Sequence, residues 1–368
     1  MQALLTRFRR ALHQIPELDR ELPKTIAYIR SVLAPLGCAL SAPAPGALCA
    51  FFDGGKADAV AFRADMDALP IQEAGPVPYA SRHPGRMHAC GHDGHMALAL
   101  ALGCSMGERL ARLPHNLLLI FQPAEETTGG AEAICQSGVL EQYRVRRVFG
   151  CHLWPGLPAG QAFARPGPML ARSSEATLTL SGKSAHIARA SQGADALYAG
   201  AAFVTEAYAL MERLLPPEEP RLLKFGRMES GQARNALSGR TVLEGSLRVF
   251  SEAAFETCAA ALQGLASRVA AGTGCQAELA FSPGYPPLLN DPALFAQVQT
   301  ALGAPLSPLG EPGMATDDFS FFAKARPALF FFLGTGADAP ALHSQAFDFD
   351  EEVLGAGLAL YQRLAALA

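Results

Sequence analysis

Regularly spaced cysteines, an excess of one charge, long apolar runs and internal repeats are all missing from this 368-residue sequence. Eight cysteines at irregular intervals make no disulfide framework, and the expected compartment is the reducing cytoplasm. Cys38, Cys49, Cys104, Cys258 and Cys275 stand among small apolar residues and read as buried thiols. Thirty basic and 34 acidic side chains are interspersed and leave a net charge of −4. No basic stripe suits nucleic acid, and no basic amphipathic run suits a membrane surface. The longest apolar run is far shorter than the roughly 20 residues of a membrane span. Residues 1–15 carry Arg7, Arg9 and Arg10 in a helical pattern without the apolar core and cleavage site of a signal peptide. With 50% hydrophobic and 17% charged residues the chain reads as well-buried globular protein, long enough for two domains.

What is present concentrates in residues 87–95, Met-His-Ala-Cys-Gly-His-Asp-Gly-His. A thiol, three imidazoles and a carboxylate precede the apolar run 96–102, which reads as a buried helix. Metal-type ligands at a helix mouth, with glycines that allow close backbone approach, suggest a metal site; a helix cap with surface histidines is the plainer reading. The surroundings repeat the theme. Strands at 47–52 and 59–62 lead to Asp65 and Asp67, and acidic residues at strand ends are where open α/β sheets place ligands, although a solvated loop also accounts for them. The apolar strand 116–121 ends at Glu125-Glu126, a pair costly to bury unless a cation or a proton balances it. Strand 145–151 ends at His152. His88 and His95 read as supporting groups, and His13, His83 and His115 as surface residues.

Beyond Ser174 the texture changes. Strand 176–180, helix 194–214, strands 222–228 and 241–249, helix 253–271 and strand 276–281 give a β-α-β-β-α-β order, the ferredoxin-like split arrangement. The sequence then returns to α/β character, with helix 292–301, strand 328–333, His343 in a loop and a last helix at 351–367. A ligand-rich domain is therefore expected at 1–173 and 284–368, with a smaller domain, 174–283, inserted into it.

The stretches Arg63-Ala-Asp-Met-Asp-Ala-Leu-Pro70, His88-Ala-Cys-Gly-His-Asp93, Gln122-Pro-Ala-Glu-Glu126, Cys151-His-Leu-Trp-Pro155, Gly182-Lys-Ser-Ala-His186, Asp317-Asp-Phe319 and Leu342-His343 occur in one order. Together they resemble the dinuclear metal-dependent aminoacylase/carboxypeptidase family, amidohydrolase subfamily D, which contains hippurate hydrolases, auxin-conjugate hydrolases and N-acetyldiaminopimelate deacetylases. The resemblance implies a three-layer α/β/α catalytic domain of the phosphorylase/hydrolase-like type with a ferredoxin-like α+β lid and dimerisation domain. It implies two divalent metal ions per subunit (manganese, zinc, nickel or cobalt), with Cys90 and His92 holding one and Glu126, His152 and His343 the other. Glu125 would be the general base, with Asp65, Asp67, Asp317 and Asp318 supporting the ligands. His186 would reach a neighbouring subunit's site, and Asn235 and Arg248 would hold substrate oxygens. The implied partners are an N-acyl amino acid and a second copy of the chain.

The sequence departs from that pattern at Ser184–Ser191, at Asn235-Ala-Leu-Ser238 and at Asp317-Asp-Phe319, which bears on substrate more than on metal. The runs 169–175 and 314–319 look closest to N-acetyldiaminopimelate deacetylases, against a broader aminoacylase, hippurate-type or dipeptidase activity. Two other readings stay open: Cys90 as a nucleophile paired with histidine, and a non-catalytic module that binds small acidic amides.

Overall fold

In the computed structural model, which describes residues 1–368 apart from the side chain at 108, the elements run α1 (Gln2–His13), α2 (Pro23–Leu33), β1 (Ala39–Ser41), β2 (Leu48–Phe52), β3 (Ala59–Asp65), α3 (His92–Cys104), β4 (Asn116–Gln122), α4 (Ala131–Gln136), α5 (Val139–Gln142), β5 (Val145–Trp154), β6 (Ala162–Ala164) and β7 (Gly167–Leu170). They continue through β8 (Arg172–Ser181), α6 (Ala196–Leu214), β9 (Leu222–Ser230), β10 (Arg240–Val249), α7 (Glu252–Thr273), β11 (Gln276–Phe281), β12 (Leu288–Asn290), α8 (Pro292–Ala301), β13 (Ser307–Pro308), α9 (Ser320–Ala325), β14 (Ala328–Gly334) and α10 (Val353–Ala365). Two compact units result: one comprises Met1–Met169, Leu289–Pro312 and Asp317–Ala368, the other Leu170–Leu288 and Gly313–Thr316.

The first unit is built on an eight-stranded sheet in the order β1-β2-β4-β3-β5-β14-β6-β13. Its centre, β4-β3-β5-β14, is parallel. Every residue of β3, β4 and β14 is buried, which explains their near-continuous apolar sequences. The flanks are antiparallel, β2 against β4 and β6 against β14. Register sets the strand ends level: Asp65 lies opposite Gln122, and Arg63 opposite Gly150. Gly150 has to be glycine, because a Cβ there would stand 2.7 Å from the Phe319 ring. Helix α3 is buried from His92 to Gly103, which is why its sequence shows no polar face.

The second unit is the split β-α-β-β-α-β arrangement, an antiparallel sheet in the order β11-β8-β10-β9. Strand β8 alternates, burying Ala176 and turning Leu178 and Leu180 into a core with Phe203 of α6 and Leu262 and Leu265 of α7. Asp195 and Ser251 accept amide hydrogen bonds at the starts of α6 and α7, and Gly274 ends α7 at φ 71°. Among the described residues, no helix is long and apolar enough to cross a membrane. The cysteines correct one expectation: Cys49 and Cys258 are buried, but Cys38, Cys104 and Cys275 are only half-buried.

Candidate metal centre

The carboxyl ends of the four parallel strands, the turn that opens α3 and the loop before α9 place ten of the expected side chains around one volume of the first unit. His92 is oriented by its Nδ1, which donates to the Asp67 carbonyl at 2.7 Å. Its Nε2 is buried and without a hydrogen-bond partner, although burial is outweighed by Asp65, Asp67 and Glu126, which raise the imidazole's pKa. That atom lies 3.7 Å from Asp65 Oδ2, 3.8 Å from Glu126 Oε1 and 4.0 Å from Glu125 Oε2. His152 repeats the device: Nδ1 donates to the Leu153 carbonyl at 2.7 Å, and Nε2 faces Cys90 Sγ at 3.4 Å. His343 Nε2 stands 3.2 Å from Glu126 Oε1, and its own amide is tied to the Ala89 carbonyl. Cys90, Glu126 and His343 form one group with metal-ligand spacing, Cys90, His92 and His152 another, and His92, Glu125 and Glu126 a third.

Backbone strain marks the same place. His343 (φ 62°) and Ala124 (φ 60°), next to Glu125, hold left-handed conformations that a side chain disfavours. Asp67 fixes the direction of the glutamate pair: its two carboxylate oxygens accept the amides of Glu125 and Glu126, both at 3.0 Å. Strand β3 ends at Asp65, and Asp67 lies beyond it. Asp65 instead accepts from Arg63 Nη1 and His95 Nδ1, both at 2.6 Å.

Arg63 carries a role that no motif in the sequence assigns it. Its guanidinium is buried and holds Asp65, Asp317 at 3.0 Å, Asp318 at 2.9 Å and the Gln122 side chain at 2.9 Å. The available signal was an arginine inside an otherwise apolar strand. Asp318 also accepts the amides of Gly130 and Ala131, which ties it to the glutamate loop. His95 Nε2 accepts the amide of Leu153 at 2.9 Å, so this neutral imidazole links Asp65 to the strand carrying His152. The expected surface positions of His13 and His115 are corrected. Both are buried on carboxylates, His13 on Asp93 and His115 on Asp58.

The electrostatics are those of a site short of positive charge. Burial, with Asp317, Glu126 and Asp318 nearby, holds the Glu125 carboxyl well above its ordinary range. Burial pushes Asp67 up to about 7 and Asp317 up to about 6, in each case against an opposing cation. Burial beside Glu126 and Glu125 also holds the Cys90 thiol well above its usual value. Burial, with His95 close by, drives His152 down to about 3, leaving it neutral. Six buried or nearly buried carboxylates share one guanidinium, which pairs with Asp65, Asp317 and Asp318, and the imidazoles of His92 and His343, whose pKa values the carboxylates raise, an arrangement that cations would balance.

In the second unit, His186 and Asn235 are exposed and adjacent. The Asn235 carbonyl accepts the Ile187 amide at 3.1 Å, and residues 186 and 236 form a bridge. Arg248 lies apart on β10, donating to the Met314 carbonyl at 2.5 Å.

Residues 61–367 match the sequence model of peptidase family M20/M25/M40. The chain belongs to that family. Membership makes it a hydrolase of amide or peptide bonds. It is 34% identical over 370 residues to an uncharacterized hydrolase of Staphylococcus aureus (strain bovine RF122 / ET3-1), covering 98% of this chain and 97% of the relative. It superposes with a TM-score of 0.87 and 29% identity on the Bacillus subtilis YXEP protein, described as a dinuclear metal-binding peptidase of the M20 family, over 99% of this chain and 97% of that one. A Staphylococcus aureus tripeptidase shares the fold at a TM-score of 0.77 and 15% identity, over 100% of this chain and 98% of that one. The M20 fold, a catalytic domain with an inserted smaller domain, is the architecture these two units present.

Proposed function

We propose that this family member removes the acyl group from N-acyl amino acids, using two divalent cations held by Cys90, His92, Glu126, His152 and His343. The observation that carries the reading is the pair of buried imidazoles, His92 and His152, each locked by an Nδ1 donor bond so that Nε2 faces carboxylate and thiol. Thiolate with imidazole and carboxylate suits manganese, zinc, nickel or cobalt better than magnesium or calcium. When bound, such cations lower the pKa of a water from about 16 to about 7 and polarise a carbonyl.

The chain's own groups supply the rest. Glu125 and Glu126 leave the same turn in different roles, because Asp67 holds both amides while only Glu126 meets His343. Glu125, with its raised proton affinity, takes the proton of the attacking water and delivers it to the departing amine. Asp317, Asp318 and Arg63 fence the base on its far side. The nucleophile reading of Cys90 has less support: the thiol's environment opposes ionisation, and its His152 neighbour is a poor base with a pKa near 3.

His186, supplied by a second copy of the chain, donates to the substrate carbonyl, with Asn235 beside it and Arg248 receiving a carboxylate. The dimer is supported by the exposed apolar side chains of Ile187, Leu197, Tyr198 and Met228 on the second unit and by the open edge of β9. N-acetyldiaminopimelate is the narrower substrate suggested by residues 169–175 and 314–319. A panel of N-acyl amino acids assayed with each of the four metals tests it, and hydrolysis confined to hippurate-type or dipeptide substrates rejects it. The reaction itself is tested by Glu125→Gln. Turnover is expected to fall about a hundred- to ten-thousandfold with metal content unchanged, and retained turnover would remove Glu125 from the mechanism. Mixed His186→Ala and Glu125→Gln proteins are expected to recover activity if sites are shared between subunits; no recovery rejects the shared site.

A further inference from the structure

The segment 9–20 makes contacts that the proposed chemistry does not use. Arg9 of α1 is fully buried, and its Nε donates to Asp93 Oδ2 at 2.9 Å, directly after His92. Its Nη2 reaches Asp348 at 2.6 Å and its Nη1 reaches Glu351 at 3.4 Å, while the Tyr79 and Phe349 rings lie 4.7 and 4.6 Å from the guanidinium carbon. His13 approaches the same Asp93 oxygen through Nδ1 at 2.7 Å and Glu73 through Nε2 at 3.2 Å. Asp93 Oδ1 accepts the Gly94 amide, so neither carboxylate oxygen is free.

The contacts continue along the chain. The Glu17 carbonyl accepts the amide of Ala68, next to Asp67, at 2.8 Å. The Asp19 carbonyl accepts the amide of Ala124, next to Glu125, at 3.2 Å, and both residues are left-handed (φ 55° and 60°). Asp19 Oδ1 accepts from Thr127 at 2.6 Å, and Arg20 donates to the Gly129 carbonyl at 2.7 Å. The segment is itself anchored, since the Glu17 carboxylate accepts the Lys24 and Thr25 amides at the start of α2. Arg9, His13, Glu17, Asp19 and Arg20, all within twelve residues of chain, thus touch the loops carrying Asp67, His92 and the glutamate pair.

Resting on the proposed metal centre, we infer that segment 9–20 is a strap that sets the spacing of the ligand loops, with Arg9 and His13 as positioning residues for His92 through Asp93. A buried ion cluster adds little net stability but is costly to break, so it suits fixing position. Groups that orient a ligand typically alter metal affinity ten- to a hundredfold.

Cobalt(II) titration of the metal-free full chain tests this, with the visible spectrum of bound cobalt as second readout. The charge-balanced double variant Arg9→Met/Asp93→Asn is expected to keep its circular dichroism, bind cobalt about ten- to a hundredfold more weakly and show an altered spectrum. His13→Ala should weaken binding as well, and His13→Asn, whose amide can replace the Nδ1 donor, should restore it. Leu364→Ala, a buried core truncation in α10, controls for lost stability: its melting temperature should fall and its cobalt affinity hold. The strap is overturned if the double variant binds within threefold of wild type with an unchanged spectrum, or if Leu364→Ala loses as much affinity. Should the double variant not fold, the His13→Ala and His13→Asn pair decides: equal affinities reject the strap. Wild-type protein that binds no cobalt would reject the metal centre itself, and the strap with it, whereas two equivalents bound alike by wild type and variants reject the strap alone.

Discussion

At the residue scale the site depends on side chains that aim other side chains. Asp67 is the clearest: it needs no cation contact to matter, because its oxygens hold the amides of both glutamates. Asp67→Ala is expected to lower metal affinity about ten- to a hundredfold and to reduce kcat, measurable by competitive metal titration and steady-state kinetics. His13 gives a pH signature. Burial opposes its charge, but Asp93 and Glu73 outweigh burial and Arg9, raising its pKa from 6.5 to about 9. A raised folded-state pKa contributes stability that is fully present below 6.5 and lost as pH climbs through 9. The stability gap between wild type and His13→Ala should therefore be about 3 kcal/mol at pH 6 and shrink steadily towards pH 9, in denaturant titrations at each pH. A gap independent of pH would show that folding leaves the His13 pKa unshifted, and a gap that grows with pH would show an imidazole held neutral.

At the element scale the sequence was readable wherever hydrophobic period and chemistry agreed. The apolar residues of β4 and β5 announce buried parallel strands and those of β3 and β14 announce strands, with Asp65 and His152 falling inside β3 and β5, which run on past the expected ends at 62 and 151. The pattern of the second unit carried its strand and helix order outright. What stayed hidden were contacts that no local pattern encodes. His13 and His115 look like surface histidines because their carboxylate partners are 80 and 57 residues away. The two- and three-residue strands β13, β1 and β6 are too short to show a period. Arg63 looked out of place in an apolar strand until Asp317 and Asp318, over 250 residues on, supplied its partners. Helix α3 shows how tightly the element is fitted: a Cβ at Gly94 would come within 2.5 Å of Leu153 and 2.9 Å of Phe349. Gly94→Ala is expected to cost about 1–3 kcal/mol and to weaken metal binding by displacing Leu153, the neighbour of His152. Unchanged melting temperature and affinity would mean that both side chains swing clear.

At the scale of the whole molecule, family membership and the ligand geometry come together in one physical requirement. A hydrolase whose buried centre sets Asp65, Asp67, Glu125, Glu126, Asp317 and Asp318 against one guanidinium and two imidazoles needs cations to settle its charge. Metal that binds the folded chain alone stabilises it by mass action, by about 3 kcal/mol at a hundredfold excess over Kd. Chelation should lower the melting temperature, and manganese or cobalt should restore it together with activity. The most direct measurement is anomalous diffraction from crystals of the manganese-loaded protein. The account predicts two peaks per chain, bounded by Cys90, His92, Glu126, His152 and His343, with Glu125 beside them and outside the ligand set. Peaks elsewhere, or none within reach of those five side chains, would contradict it.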